Sequence, residues 1–382
     1  MAALRKVKRE VLRIVLQILE QFVVFREWIA KKRYDANFAT LTQLFDGERP
    51  PAKKIAIFFI YQPKELANSI LVTCEFLHKL GYSVLLVSST PIRKYDLQKL
   101  QSITWKILLR PNYGYDFGGY RDGFRVLNNL GIKPETVLIL NDSIWLPLSD
   151  ENQMIQKMEE DTLLLNGPVF ESLQKRREHS EYFQSYLMLV KSKALRSLAF
   201  RNYWKNYRVS SRKSIVLVRG EEGFSQELFK FGLGGGAPST RSTLLELLKQ
   251  VDNEFLLKTL HYATYIQQDL LIEARNIIKH YSDTEEWRGR CFHHIEKAVE
   301  STQPMGAVPY ACVKLLGFSF LKKSSFPPEH DGMRWQYLRA VKNGDLPAPH
   351  PDILAEIMAS KMDGRLTTDP SFPSPIPATK VQ

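Results

Sequence analysis

Cysteine is scarce in this chain of 382 residues: Cys74, Cys291 and Cys312 stand far apart, follow no CxxC spacing and leave one unpaired. That argues against a disulfide framework or a cysteine-built zinc site and for a reducing compartment, the cytoplasm. The adjacent His293-His294 pair near Cys291 is of metal-ligand type, but it falls on a helical run and reads as structural. Long apolar runs are missing too. In the apolar N-terminal segment the longest uncharged stretches are the six residues Ile14 to Leu19 and the five from Gln21 to Phe25, far short of the roughly 20 that a spanning helix needs. The glycine-rich stretch FGLGGGAPSTRS, 231 to 242, lacks the Gly-Lys-Ser/Thr ending of a phosphate loop. Nucleotide hydrolysis is therefore not indicated, and the stretch reads as a mobile flap. Basic residues are spread along the chain without an RNA- or DNA-binding signature, so nucleic acid is not an expected partner.

What is present is a globular composition, 44% apolar and 25% charged, with a net charge of +12 that favours anionic partners. Residues 1–48 read as an N-terminal amphipathic helix and linker. Val11, Val15, Ile18, Phe22, Phe25 and Ile29 fall on one helical stripe, with lysines and arginines at both ends. Two readings stand: the stripe packs on its own domain or a partner subunit, or residues 5–33 lie in an anionic interface at the inner face of the cytoplasmic membrane. Residues 49–330 form the main domain, with a helical insertion over 234–300. Residues 331–382 are a C-terminal extension, ending in a Pro-rich disordered tail from about 364.

The main domain alternates strand and helix. IAIFFIY (55–61), YSVLLVSS (82–89), WKILLR (105–110) and TVLILND (136–142) read as buried strands. PKELANSILVTCEFLHKLG and YRDGFRVLNNLG read as helices closed by Gly81 and Gly131. This is the pattern of an α/β fold with a mostly parallel sheet flanked by helices, whose ligands sit beyond the carboxyl ends of the strands. Two motifs fall there. NYGYDFGGYRDG, 112 to 123, packs four glycines and two aspartates into one dozen residues, and such glycine density implies a close approach of the backbone to something. The fourth strand ends in Asn141-Asp142-Ser143.

The order of these motifs resembles GT-A glycosyltransferases, and more closely the rhamnan synthesis protein F family, through NYGYDFGGYRDG and LILNDSIWLPL. Three further blocks continue the resemblance: HSEYFQSYLMLVKSKALRSLAFRNYWKNY (179 to 207), GEEGFSQELFKFG (220 to 232) and QPMGAVPYACVKLLGFSFLKK (303 to 323). Together they span roughly residues 53 to 328, with 234–300 matching weakly. The resemblance implies a GT-A-like, Rossmann-like glycosyltransferase with a nucleotide-sugar donor. It further implies rhamnose or another deoxysugar as the transferred unit, a growing cell-surface polysaccharide or lipid-linked acceptor, and inversion at the anomeric carbon. An inactive carbohydrate- or nucleotide-sugar-binding scaffold of the same fold is the alternative, because Asn-Asp-Ser replaces the usual Asp-x-Asp.

The chemistry assigns residue types. A leaving diphosphate needs a divalent cation, manganese or magnesium, on hard oxygens, or basic side chains in its place. Asp142 and Ser143 are the candidate metal residues, and Arg121 the alternative counter-charge. Asn112, Gly114, Asp116, Gly118, Arg121 and Asn141 are the donor-binding candidates, although Asp116 could equally cap its own turn. His179, Gln184, Ser185 and Tyr186 are candidates for sugar or acceptor hydroxyls, or for a buried strand. Glu221 and Glu222 would open the helix beneath the acceptor. Two adjacent carboxylates raise one another's pKa, as a base working near neutral pH requires, and Glu221 aligns best with the family's acid. The plain alternative is a helix N-terminus, where acids also collect.

Overall fold

The computed structural model describes residues 25–151, 153–175, 178–325 and 328–360, and for 171–180 the backbone alone. The four strands read from the sequence are there: β2 (Lys54–Ile60), β3 (Tyr82–Ser88), β4 (Lys106–Leu109) and β5 (Thr136–Asn141). β2 pairs in parallel with both β3 and β5, and β3 with β4. Around them the sheet grows to eight strands in the order β1-β4-β3-β2-β5-β10-β7-β11. β1 (Gln43–Asp46) and β10 (Leu187–Lys191) join antiparallel, β7 (Leu165–Asn166) lies antiparallel to β10, and β11 (Gly235–Gly236) is parallel to β7. Two short ribbons complete the β-structure. β6 (Ile144–Trp145) pairs with β12 (Leu321–Lys322), and β8 (Phe170–Lys175) with β9 (Glu178–Phe183).

Strand periodicity assigns the two faces. On β2, Ala56, Phe58 and Ile60 enter one core and Ile55, Ile57 and Phe59 the other, so both faces must be covered. The first core is closed by α2 (Asn68–Lys79), α3 (Lys94–Ile103) and the helices of the C-terminal half: α7 (Arg241–Leu248), α8 (Asn253–His261), α9 (Gln268–Lys279), α10 (Glu285–Ser301), α11 (Glu329–Lys342) and α12 (Pro351–Ala359). The insertion over 234–300 and the start of the C-terminal extension thus share one core with the sheet. The second core is closed by the helix over residues 25–36 (α1), α4 (Tyr115–Asn129), α5 (Leu198–Asn206) and α6 (Gly223–Lys230).

The N-terminal segment divides at residue 25. Val11, Val15, Ile18 and Phe22, like residues 361–382, lie outside the described residues. The described end of α1 packs on the protein's own domain: Tyr34 is buried, Glu27 pairs with Arg219 at 2.8 Å and Asp35 with Arg121 at 2.6 Å. Phe25 and Trp28 remain exposed and stacked. No helix among the described residues is long and apolar enough to cross a membrane. β1, inside the stretch expected to be linker, is instead an edge strand of the sheet.

The triple glycine is not a flap. Gly235 and Gly236 form β11, and Gly234 O and Gly236 O accept from Leu165 N and Gly167 N. A Cβ on Gly235 would stand 2.7 Å from Phe229 and 2.9 Å from Phe183, so the missing side chain admits the strand to the sheet edge. His294 is buried against Glu273 at 3.1 Å and Tyr265 at 3.2 Å, a structural role.

Candidate active site

Helix α4 begins at Tyr115, not at Tyr120, so most of the glycine-rich motif is helical. Its glycines admit the sheet and the loop's own backbone. A Cβ on Gly119 would meet Phe59 at 2.2 Å and one on Gly123 would meet Ile57 at 2.6 Å, both side chains of β2. A Cβ on Gly118 would stand 2.3 Å from the carbonyl oxygen of Tyr113. Gly114 takes φ 85° to start the helix against Val209. The close approach that the sequence demands is thus between α4 and β2, which brings the first turn of α4 against the carboxyl ends of the strands. Gly119→Ala is accordingly expected to cost about 1–3 kcal/mol by overpacking, measured by urea unfolding. Asn112 is exposed in the turn before Gly114.

The first turn of α4 and the end of β5 meet at Asp116. Its Oδ1 accepts from the Phe117 amide at 2.8 Å, and its Oδ2 from Asn141 Nδ2 at 3.2 Å. Asn141 Oδ1 in turn accepts from the amide of Ser143 at 3.1 Å and its hydroxyl at 2.6 Å. Ser185 lies close enough to Asp116 to favour its charged form, its amide donates to Glu221 Oε1 at 2.9 Å and its carbonyl accepts from Tyr120 at 2.7 Å. A polar chain therefore runs Ser143, Asn141, Asp116, Ser185, Glu221, hydrogen-bonded at each step except Asp116 to Ser185, where the influence is electrostatic. It joins residues far apart in sequence across the ends of β5, β10 and the helix that carries Glu221.

Asp142 stands beside this chain at the point where strand order reverses. β2 leads to β3 on one side and neighbours β5 on the other, the crevice where open α/β sheets bind ligands. Asp142 Oδ2 accepts from the Tyr61 amide at 2.8 Å and Gln62 Nε2 at 2.6 Å, stitching the end of β5 to the end of β2.

Burial is the largest influence on all three acids, and it raises each above the usual carboxylate range. Asp116 is raised against Ser185, Phe117 and Asn141. Asp142 is raised against Gln62, Tyr61 and the charge of Lys323. Glu221 is raised against Ser185, with the Asp116 charge adding to the rise and Lys322 opposing it. The like charge of Asp116 acts on Glu221 through space.

The acid pair does not open a helix. Residues Lys213–Leu217 are α-helical, Val218–Glu222 form a π-helical turn, and α6 continues from Gly223. The helix-terminus explanation for two acids does not apply, and a π-turn in mid-helix is a feature often found at functional sites. Gly220 permits it, since a Cβ there would stand 2.5 Å from Phe117. Glu222 is half-buried next to Glu221.

The remaining candidates fall in varied places. Tyr186 is buried with its ring 3.2 Å below Lys322 Nζ, and Gln184 is half-buried between β9 and β10. His179 lies in β9 with its side chain outside the described residues. Arg121 is used otherwise than expected: its guanidinium is held by Asp35, with Asp122 at 3.7 Å, and fastens α1 to α4. Among the described residues no group of three or more His, Cys, Asp or Glu side chains is placed to hold a metal ion. Sequence reasoning did not single out Gln62, Lys322 or Lys323 as site residues. Lys322 and Lys323 close the last of the resembling blocks, and that position was their one signal.

The comparisons bear on this same stretch. The family model for rhamnan synthesis protein F matches residues 84–236. An uncharacterized protein, y4gN, of Sinorhizobium fredii is 28% identical over 262 residues, 67% of this chain and 67% of its own. Among solved structures, the mannosyltransferase PcManGT from Pyrobaculum calidifontis, in complex with GDP-Man and Mn2+, covers 90% of this chain and 96% of its own at 10% identity and a TM-score of 0.33. The matched residues carry Asp116, Asn141, Asp142, Ser185 and Glu221, so the polar chain lies within the part of this protein that matches rhamnan synthesis protein F, the family its motifs resemble.

Proposed function

We propose that the protein is an inverting hexosyltransferase that moves a sugar, rhamnose or another deoxysugar, from a nucleotide-sugar donor to a growing cell-surface polysaccharide or lipid-linked acceptor. The observation that carries this reading is the gathering of Asp116 and Glu221 about Ser185, whose amide holds Glu221, beside Asp142 at the strand-order reversal and within the matched residues. Glu221, its pKa raised, takes the acceptor hydroxyl proton as general base. Ser185 orients it through the 2.9 Å amide bond. Asp116 and Asn141 bind donor hydroxyls in this reading. Asp142 has one oxygen taken by Tyr61 and Gln62, and Ser143 donates its hydroxyl to Asn141, so these residues do not make a complete cation cage. They fit a magnesium or manganese ion of the kind that takes one carboxylate and completes its shell with substrate phosphates and water. Such an ion, held at Asp142, would neutralise the leaving diphosphate.

The test is a thermal-shift screen with nucleoside diphosphates and nucleotide sugars, with and without manganese, followed by donor hydrolysis. A true donor at about 100 times its Kd should add about 2.7 kcal/mol of stability. It should also be hydrolysed slowly, releasing the nucleoside diphosphate. Stabilisation without any release would favour a binding scaffold, and no stabilisation by any nucleotide would sink the transferase reading.

A further inference from the structure

We propose that Lys322 supplies the protein's own positive charge to the donor diphosphate; the assignment rests on the sugar-nucleotide reading above. The topology brings it there. β12 zips onto β6, with Lys322 opposite Ile144, and the amide of Lys323 donates to Ser143 O at 2.8 Å. A segment some 180 positions downstream is thereby laid directly against Asn141-Asp142-Ser143.

Successive strand residues point to opposite sides, and the two lysines divide accordingly. Lys323 Nζ turns to Ser69 Oγ at 3.0 Å and Glu356 at 3.7 Å, where it is anchored. Lys322 Nζ sits 3.2 Å over the ring of Tyr186. Tyr186 follows Ser185, the residue that holds Glu221, and its carbonyl accepts from the Asn141 amide at 3.3 Å. The ammonium of Lys322 is therefore placed on the Ser185–Glu221 arm of the site, and its charge acts on Glu221.

The strap is held rigidly. The fully buried guanidinium of Arg334 donates to the carbonyls of Lys322, Lys323 and Ser324 at 3.1, 2.8 and 3.2 Å and to Ser325 Oγ at 3.0 Å, and it is paired with Asp331. A buried arginine spent on four oxygens of one short segment fixes where Lys322 stands. The electrostatics require such a charge. Asp116, Asp142 and Glu221 crowd one crevice, and a diphosphate entering beside three carboxyl groups is repelled unless a cation faces it.

Titration calorimetry with UDP, GDP and dTDP, and with the matching nucleosides, in EDTA and then in magnesium, tests the assignment. Lys322→Ala should weaken the bound diphosphate about 10- to 100-fold in EDTA, the loss of one charge-assisted contact, while nucleoside affinity is kept. Lys322→Arg should restore most of it. Equal diphosphate affinity in wild type and Lys322→Ala, or an equal loss for nucleoside and diphosphate, overturns the role of Lys322 while the transferase reading stands. Failure of the wild type to bind any of the three diphosphates in either medium overturns both.

Discussion

Replacing Glu221 by glutamine is expected to lower kcat by about 10²- to 10⁴-fold while donor affinity stays near the wild-type value, because a general base acts on the transition state and not on donor binding. Glutamine keeps an oxygen for the Ser185 amide, so the 2.9 Å bond and the π-turn have no reason to change. Glu222→Gln should do less. The reverse order would move the assignment by one residue, and near-wild-type rates for both would remove the acid pair from the mechanism. Burial, reinforced by Asp116, raises the Glu221 pKa, so the acid limb of the kcat/KM profile should lie above the ordinary glutamate value and vanish in the glutamine variant. The stability effect has the opposite sign to the activity effect. A group whose folded pKa is raised contributes stability that is full below its unfolded pKa and lost as pH rises through the folded value. Above the folded value the ionised carboxylate therefore weakens the fold, and there Glu221→Gln should melt at or above the wild-type temperature. A variant that loses both rate and Tm would point to a structural residue.

The parts of the fold that were legible in the sequence are those with a long enough period. β2, β3 and β5 are six or seven residues of apolar chain closed by turn signals, and each was found within a residue or two of its observed ends. β7 and β11 are two residues long and carry no period. Gly234 to Gly236 therefore looked like a flap, although tertiary contact with Phe183 and Phe229 makes a strand of Gly235 and Gly236. Glycine shows that the backbone is approached but not by what. At Gly119 and Gly123 the partner is β2, which no local pattern around the motif could reveal. Asp116, Asp142 and Glu221 were singled out by residue type and order, and the fold gathers them closely enough that all three charges act on Tyr120. That Glu221 sits in mid-helix was hidden because the acid pair read as a helix start, and only the structure shows the π-turn, with Phe117 in the space of a Cβ at Gly220. Lys322 reaches the site only through the β6–β12 pairing, a long-range contact with no spacing signature.

Asp122→Ala is expected to destabilise the protein by about 3–5 kcal/mol, much of the stability of an ordinary domain. Asp122 is fully buried, and its Oδ2 accepts from Arg110 Nε at 2.6 Å and from the Tyr34 hydroxyl at 2.6 Å. Arg110, equally buried, also donates to Ser89 Oγ at 2.9 Å and to the carbonyl of Tyr113. Removing the carboxylate leaves a guanidinium buried without its counter-ion, and that penalty, more than the lost attraction, sets the size of the effect. Tyr34→Phe removes one hydrogen bond and leaves the ion pair, so about 0.5–1.5 kcal/mol should be lost. Urea unfolding of the two variants separates them, and a loss in Asp122→Ala no larger than in Tyr34→Phe would show that the pair contributes little. The consequence reaches the site. Arg110 follows β4 and holds the Tyr113 carbonyl, the same oxygen that Gly118 packs against, so this ion pair sets the path of the chain into α4 and with it the position of Asp116. A folded Asp122→Ala protein should therefore bind donor more weakly as well, although Asp122 itself lies on the α1 side of α4 and not in the crevice.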